Sequence, residues 1–138
     1  MSVPEDRRKH GKLEVNTKAL ALCVYTLRIT ANGKIFTSEQ DGFVQRIRAC
    51  ATDIHTLCWK ANNIHVGANM RRYEQRIELE ARAIDECNAL CAMIEIAKPL
   101  FHLTTKRVIY WTGLVTEVRE LIRAWRESDI KRLKPEKA

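Results

Sequence analysis

The sequence predicts an all-α protein, an antiparallel up-down-up-down four-helix bundle, on three observations. Four separate stretches place apolar residues at alternating steps of three and four, the spacing that keeps side chains on one face of a helix. No stretch alternates with the period of two that a half-buried strand needs, and only 5 glycines occur in 138 residues. Short polar connections join the stretches, so successive helices double back and bury their stripes against one another.

The first stretch has Leu20, Val24, Leu27 and Ala31 as its seam with Cys23 beside it, and Asn32-Gly33 offers residues that tolerate a left-handed helix end. In the second, Ser38 is the expected cap before Glu39 and Asp41, and Phe43, Ile47, Cys50, Ile54, Leu57 and Ala61 follow on one face. This helix should stop among Asn62, Asn63 and Gly67, where turn-prone residues cluster. The third seam is Ile77, Ala81, Ile84, Cys87, Cys91 and Ile94, widened by Leu90 and Ala97, with a break expected at Pro99, which lacks an amide donor and disfavours helix at Lys98. The fourth starts at Thr104 or Thr105 and runs through Trp111, Leu114, Val118, Leu121 and Trp125, thickened by Val115 and Ile122.

A chain of 138 residues that is 46% hydrophobic is one domain with a real core and too short for two ordinary ones. Residues 1–12 and 134–138 carry no apolar period and are expected to be loose. With no apolar run of about 18 residues and no apolar stretch near the start, the sequence predicts neither a membrane span nor a signal peptide, hence a cytoplasmic protein. The 5 cysteines (Cys23, Cys50, Cys58, Cys87 and Cys91) are odd in number and fall inside the periodic segments, which suits reduced core thiols and not a disulfide framework.

Little in the chain points to catalysis. His55 with Cys58, and Cys87 with Cys91, stand one helical turn apart, but without paired Cys-x-x-Cys ligands these residues read as core and not as a zinc site. Arg48 and His55 reproduce the Arg-x6-His spacing of HEPN-type ribonucleases, where a histidine moves a proton and an arginine steadies the phosphate. Ala49 stands where that family has a polar residue, so this reading ranks last. There is no glycine-rich phosphate loop and no nucleophile elbow. The expectation is a protein that is not an enzyme, with no cofactor and no small-molecule substrate.

Charge says more. There are 24 Lys and Arg against 17 Asp and Glu, a net charge of +7, which favours polyanionic partners such as RNA, DNA or an acidic protein face. The excess sits at the two ends of the chain, with +4 over residues 104–138. In the fourth helix Arg119, Arg123 and Arg126 form one flank of the apolar stripe, with Glu117 and Glu120 expected on the opposite flank. Such an arginine flank suits phosphates, or a neighbouring copy meeting it head to tail, and contacts of that kind close into rings. Trp111 and Trp125 lie on the seam and belong to the core, whereas Trp59, just off its seam beside Lys60, should be half exposed near an end of the bundle.

The segments Leu22-Cys23-Val24-Tyr25-Thr26-Leu27, Trp59-Lys60-Ala61-Asn62-Asn63-Ile64, Ala97-Lys98-Pro99-Leu100-Phe101-His102-Leu103 and Leu121-Ile122-Arg123-Ala124-Trp125-Arg126 resemble a known family. It is the bacterial four-helix-bundle family that includes the 23S ribosomal RNA intervening-sequence proteins and Avd, the accessory variability determinant of diversity-generating retroelements. The resemblance covers roughly Asn16 to Arg132 and consists of packing and turn residues. It implies a homopentameric, barrel-like ring with a basic surface that partners a reverse transcriptase and its template RNA or complementary DNA. The family has no catalytic residues, so what carries over is basic surface contact by Arg119, Arg123 and Arg126, with Lys106, Arg107, Lys131 and Arg132 as further candidates. The competing expectation, of another class, is a protein-interaction scaffold whose arginine flank is buried between subunits.

Overall fold

A computed structural model describes residues 5–133, with side chains from residue 14 onward. Four helices follow one another: α1 (Glu5–Thr30), α2 (Asp41–Asn62), α3 (Met70–Leu100) and α4 (Thr105–Leu133), with a short 3₁₀ turn at Ser38–Gln40. Each helix packs on the next, and α4 returns to α1, so the four enclose a single core. Neighbours run antiparallel. Along α1 and α4, Lys18 meets Glu117 while Thr26 meets Trp111, and along α3 and α4, Arg76 meets Asp129 while Asn88 meets Arg119. No helix among the described residues is long and apolar enough to cross a membrane.

α1 begins at Glu5, inside the stretch expected to be loose, while the loose ends expected at residues 1–4 and 134–138 lie outside the described residues. Its buried row also differs from the expected seam. Val15, Ala19, Leu22, Thr26 and Thr30 face the core, whereas Leu20 is 49% exposed and Val24 and Leu27 are half-buried. The reason is polar: Thr26 and Thr30 bury their methyl groups and satisfy their hydroxyls within the helix, donating to the carbonyls of Leu22 at 2.9 Å and Thr26 at 2.7 Å. Trp111 then donates its indole N–H to the Thr26 hydroxyl at 3.0 Å, so the largest core side chain requires a polar partner on α1.

α2 buries Val44, Ile47, Cys50, Ala51, Ile54, Leu57, Cys58 and Ala61, close to the expected row. Its start is shifted. Ser38 lies in the 3₁₀ turn, Gln40 precedes the helix, and neither Thr37 nor Gln40 makes a side-chain cap bond. No left-handed residue ends α1 at Asn32-Gly33 either; Arg48 of α2 instead reaches across and donates to the Leu27 carbonyl at 2.8 Å and the Thr30 hydroxyl at 2.7 Å. A long-range side chain satisfies part of the end that local turn chemistry was expected to serve.

α3 is capped by Asn69, whose side-chain oxygen accepts from the amides of Arg71 and Arg72, and it keeps Lys98 and Pro99 inside its last turn. The expected break falls just beyond. Phe101 donates to the Ala97 carbonyl and Leu103 to that of Lys98, both at 2.9 Å, around His102 at φ 56°. That is the Schellman closure, made here with a histidine in place of glycine. α4 begins as expected, with the Thr104 hydroxyl accepting from the Arg107 amide at 3.1 Å.

The rows buried by α3 and α4 continue the apolar spacing into charged residues. On α3 the row is Tyr73, Arg76, Glu80, Ala83, Cys87, Leu90, Ile94 and Ala97, with Ile77, Ala81 and Ile84 displaced to its side. On α4 it is Trp111, Val115, Val118, Ile122, Trp125 and Asp129, leaving Leu114 and Leu121 half-buried. At one end of the bundle, therefore, Arg76 forks onto Asp129 at 2.8 and 2.5 Å between the rings of Tyr73 and Trp125. Glu80 lies alongside. Burial, and then the Asp129 carboxylate, push its carboxyl well above the ordinary carboxylate range, with Arg76 and Arg126 opposing. Neither oxygen of Glu80 receives a hydrogen bond from a protein donor, in keeping with a carboxyl that holds its proton more tightly than usual.

Candidate nucleic-acid interface

The arginine flank of α4 forms on the side of α3. Arg119 donates to the Asn88 side chain at 2.9 Å and to Glu120 at 3.2 Å, and Arg123 donates to that same Glu120 oxygen at 3.1 Å. Glu120 therefore stands between the two arginines and not on the opposite flank as expected, because α4 turns its direction only about 60° from that of Arg123. Glu117 does face away, paired with Lys18 of α1 at 3.2 Å. One carboxylate serving two guanidinium groups leaves the ridge positive and holds both groups in place.

Arg126, half-buried, borders a groove of about 360 Å³ with Ala81, Ile84, Asp85, Arg123 and Glu127, and its Nε is buried without a partner. Arg132 turns inward, 3.7 Å from Asp129, while Lys131 is exposed. These last two belong to the end of the bundle that holds the Arg76–Asp129 pair. Lys106 and Arg107 lie at the other end, where α4 begins. The seven candidates thus fall in three places along α4 and do not converge on one point.

A pattern missed in the sequence emerges at the Lys106 end. Residues 15–38 and residues 96–116 contain no aspartate or glutamate, yet carry Arg28, Lys34, Lys98, Lys106 and Arg107, besides Lys18, which is paired with Glu117 further along the bundle. Folding brings the two segments together. Phe36 meets Phe101 with ring centres 4.8 Å apart, Tyr25 meets Tyr110 at 5.1 Å, and Tyr25 and Phe36 both approach Trp111. The carboxylates that border the two segments are Glu14 and Glu39 on one and Glu95 and Glu117 on the other; Glu39 sits in the 3₁₀ turn before α2, and Glu117 is paired with Lys18, away from the Lys106 end. The α1–α4 side of this end is a basic, aromatic pole whose potential no carboxylate of its two segments offsets. Two long acid-free windows were the signal available in the sequence.

The chain matches no protein family, no curated protein and no solved structure.

The alternatives based on chemistry find less support. Arg48, the arginine of the nuclease-like pair, is engaged in closing α1. All five cysteines are free; Cys91 is half-buried and the others are buried. Burial pushes the Cys58 and Cys87 thiols up to about 12, which makes them inert core groups and poor metal ligands at neutral pH. Among the described residues no three His, Cys, Asp or Glu side chains gather as a metal site would require. Trp59 is 57% exposed in the last turn of α2, and Trp111 and Trp125 are buried.

Proposed function

We propose that this protein is a non-catalytic, homo-oligomeric accessory factor that binds RNA or DNA through its basic surface and partners a reverse transcriptase, as its resemblance to the accessory variability determinants implies. The observation that carries the nucleic-acid part is the meeting of two acid-free segments at one end of the bundle, which concentrates uncompensated positive charge beside exposed aromatic and apolar side chains. Cations in such a setting bind phosphates with release of counterions. The Arg119–Arg123 ridge adds two ordered guanidinium groups on the same helix. Assembly into a closed ring, a pentamer by the resemblance, is supported by large apolar side chains left outside the bundle, Leu20, Ile96 and Leu100 among them.

The test is binding of RNA and single-stranded DNA by the purified oligomer across a salt series, with its mass determined in parallel. Wild type should bind with an affinity that falls steeply with salt, and Arg119→Glu/Arg123→Glu and Lys106→Glu/Arg107→Glu should each weaken binding at unchanged mass. For every phosphate that a variant no longer neutralises, the salt slope should fall by about 0.7–0.9. No binding by wild type at moderate salt, or variants that fall apart into monomers, would replace this reading with that of an interaction scaffold.

A further inference from the structure

We propose that the groove between α1 and α4 at Tyr110 is a stacking site for an unpaired base, so that the protein takes single-stranded nucleic acid in preference to duplex. The proposal rests on the nucleic-acid reading and narrows it to one class of ligand and one place. Tyr110 is 56% exposed, and its neighbour Ile109 is 66% exposed. The Tyr110 ring meets Tyr25 at 62°, an edge-to-face contact, and Tyr25 meets the fully buried Trp111 in the same manner at 66°. An exposed ring is thus braced through a second ring on the core, and it contacts water with apolar surface that the fold leaves uncovered.

The groove beside it, about 400 Å³, is lined by Tyr25, Ile29, Thr104, Lys106, Arg107 and Tyr110. Its floor is apolar, two cations stand in its wall, and it contains no carboxylate. A ligand that satisfies all three features has a flat apolar face and carries negative charge close to that face, which is the chemistry of a nucleotide in a strand. In a duplex both faces of every base are covered by stacking, so only an unpaired base presents a face to Tyr110 without a prior cost of opening. Arg28, exposed and one turn from Tyr25 on α1, is a further cation of the same acid-free segment. A second copy of this chain would have to bring carboxylates to meet Lys106 and Arg107.

The experiment compares a short oligouridine with an RNA duplex of the same length on wild-type oligomer, Tyr110→Ala and Tyr110→Phe, with the mass of each protein measured. Tyr110→Ala should weaken oligouridine binding by about tenfold with the salt slope unchanged, because no cation is removed, and should leave duplex binding alone. Tyr110→Phe keeps the ring face and should bind as wild type does. If Tyr110→Ala binds oligouridine normally while Lys106→Glu/Arg107→Glu does not, the nucleic-acid reading stands and the stacking site is overturned. Equal weakening on strand and duplex overturns it too, as does dissociation of Tyr110→Ala into smaller species, which would make the groove a subunit contact. A wild type that binds neither ligand removes both readings.

Discussion

Arg76 and Asp129, 53 positions apart in sequence, form a two-pronged ion pair inside the bundle, with side chains 1% and 0% exposed. Such a pair resists removal of one partner far more than replacement of both, since a lone buried charge has nothing to replace its water. Asp129→Ala should therefore destabilise the fold by about 3–5 kcal/mol, while Arg76→Met/Asp129→Leu should be close to neutral or more stable. Urea denaturation of the three proteins checks this, and a double variant less stable than Asp129→Ala would contradict it.

Glu80 beside that pair makes stability fall as pH rises. Its folded-state affinity for a proton is raised, mainly by burial, so its favourable contribution is complete below the unfolded carboxyl value near 4.3 and is lost as pH climbs towards the folded value. Glu80→Gln keeps a donor for Asp129 and removes the titration. Its stability relative to wild type should grow steadily from about pH 5 to about pH 9 in denaturation curves. A difference that stays flat over that range would mean Glu80 is already ionised in the folded protein.

Thr26 supplies the acceptor for the Trp111 indole at 3.0 Å in a fully buried setting. Thr26→Val preserves shape and strands the donor, which should cost about 1–3 kcal/mol. Thr26→Ser restores the hydroxyl and should recover most of that stability. Thermal unfolding of both variants decides between a hydrogen-bond effect and a packing effect.

At the start of α4, the Thr104 hydroxyl receives the Arg107 amide. Thr104→Ala should cost about 1 kcal/mol, and Thr104→Asp should not. Because Thr104 also borders the Tyr110 groove, an aspartate there would set a carboxylate beside Lys106 and Arg107 and should weaken nucleic-acid binding while leaving melting unchanged.

The cysteines should differ in reactivity according to burial. Cys58 and Cys87, 1% and 0% exposed with thiols pushed up to about 12, should resist alkylation in the folded state at pH 8, whereas half-buried Cys91 should react first. Mass spectrometry of partially alkylated protein gives the order, and equal rates for all three would indicate that the core opens readily.

The start of α1 at Glu5 was not legible in the chain, whereas the number of helices, the approximate limits of α2, α3 and α4 and the core placement of Trp111 and Trp125 were. Each follows from local chemistry: apolar spacing, the Thr104 cap, the turn residues after Asn62. Which row a helix turns inward was less legible, since adjacent rows on α1, α3 and α4 are both partly apolar and lie only about 100° apart. Neighbours decided it. Thr26 went inward because Trp111 needed an acceptor, and Arg76 and Asp129 went inward because each neutralised the other, an arrangement that no single helix can signal. The same holds for the basic surface. The excess of positive charge is a property of composition, whereas the position of Glu120 between two arginines and the merging of two acid-free segments at the Tyr110 end arise only when distant stretches are packed side by side, because fields add in space and not along the chain.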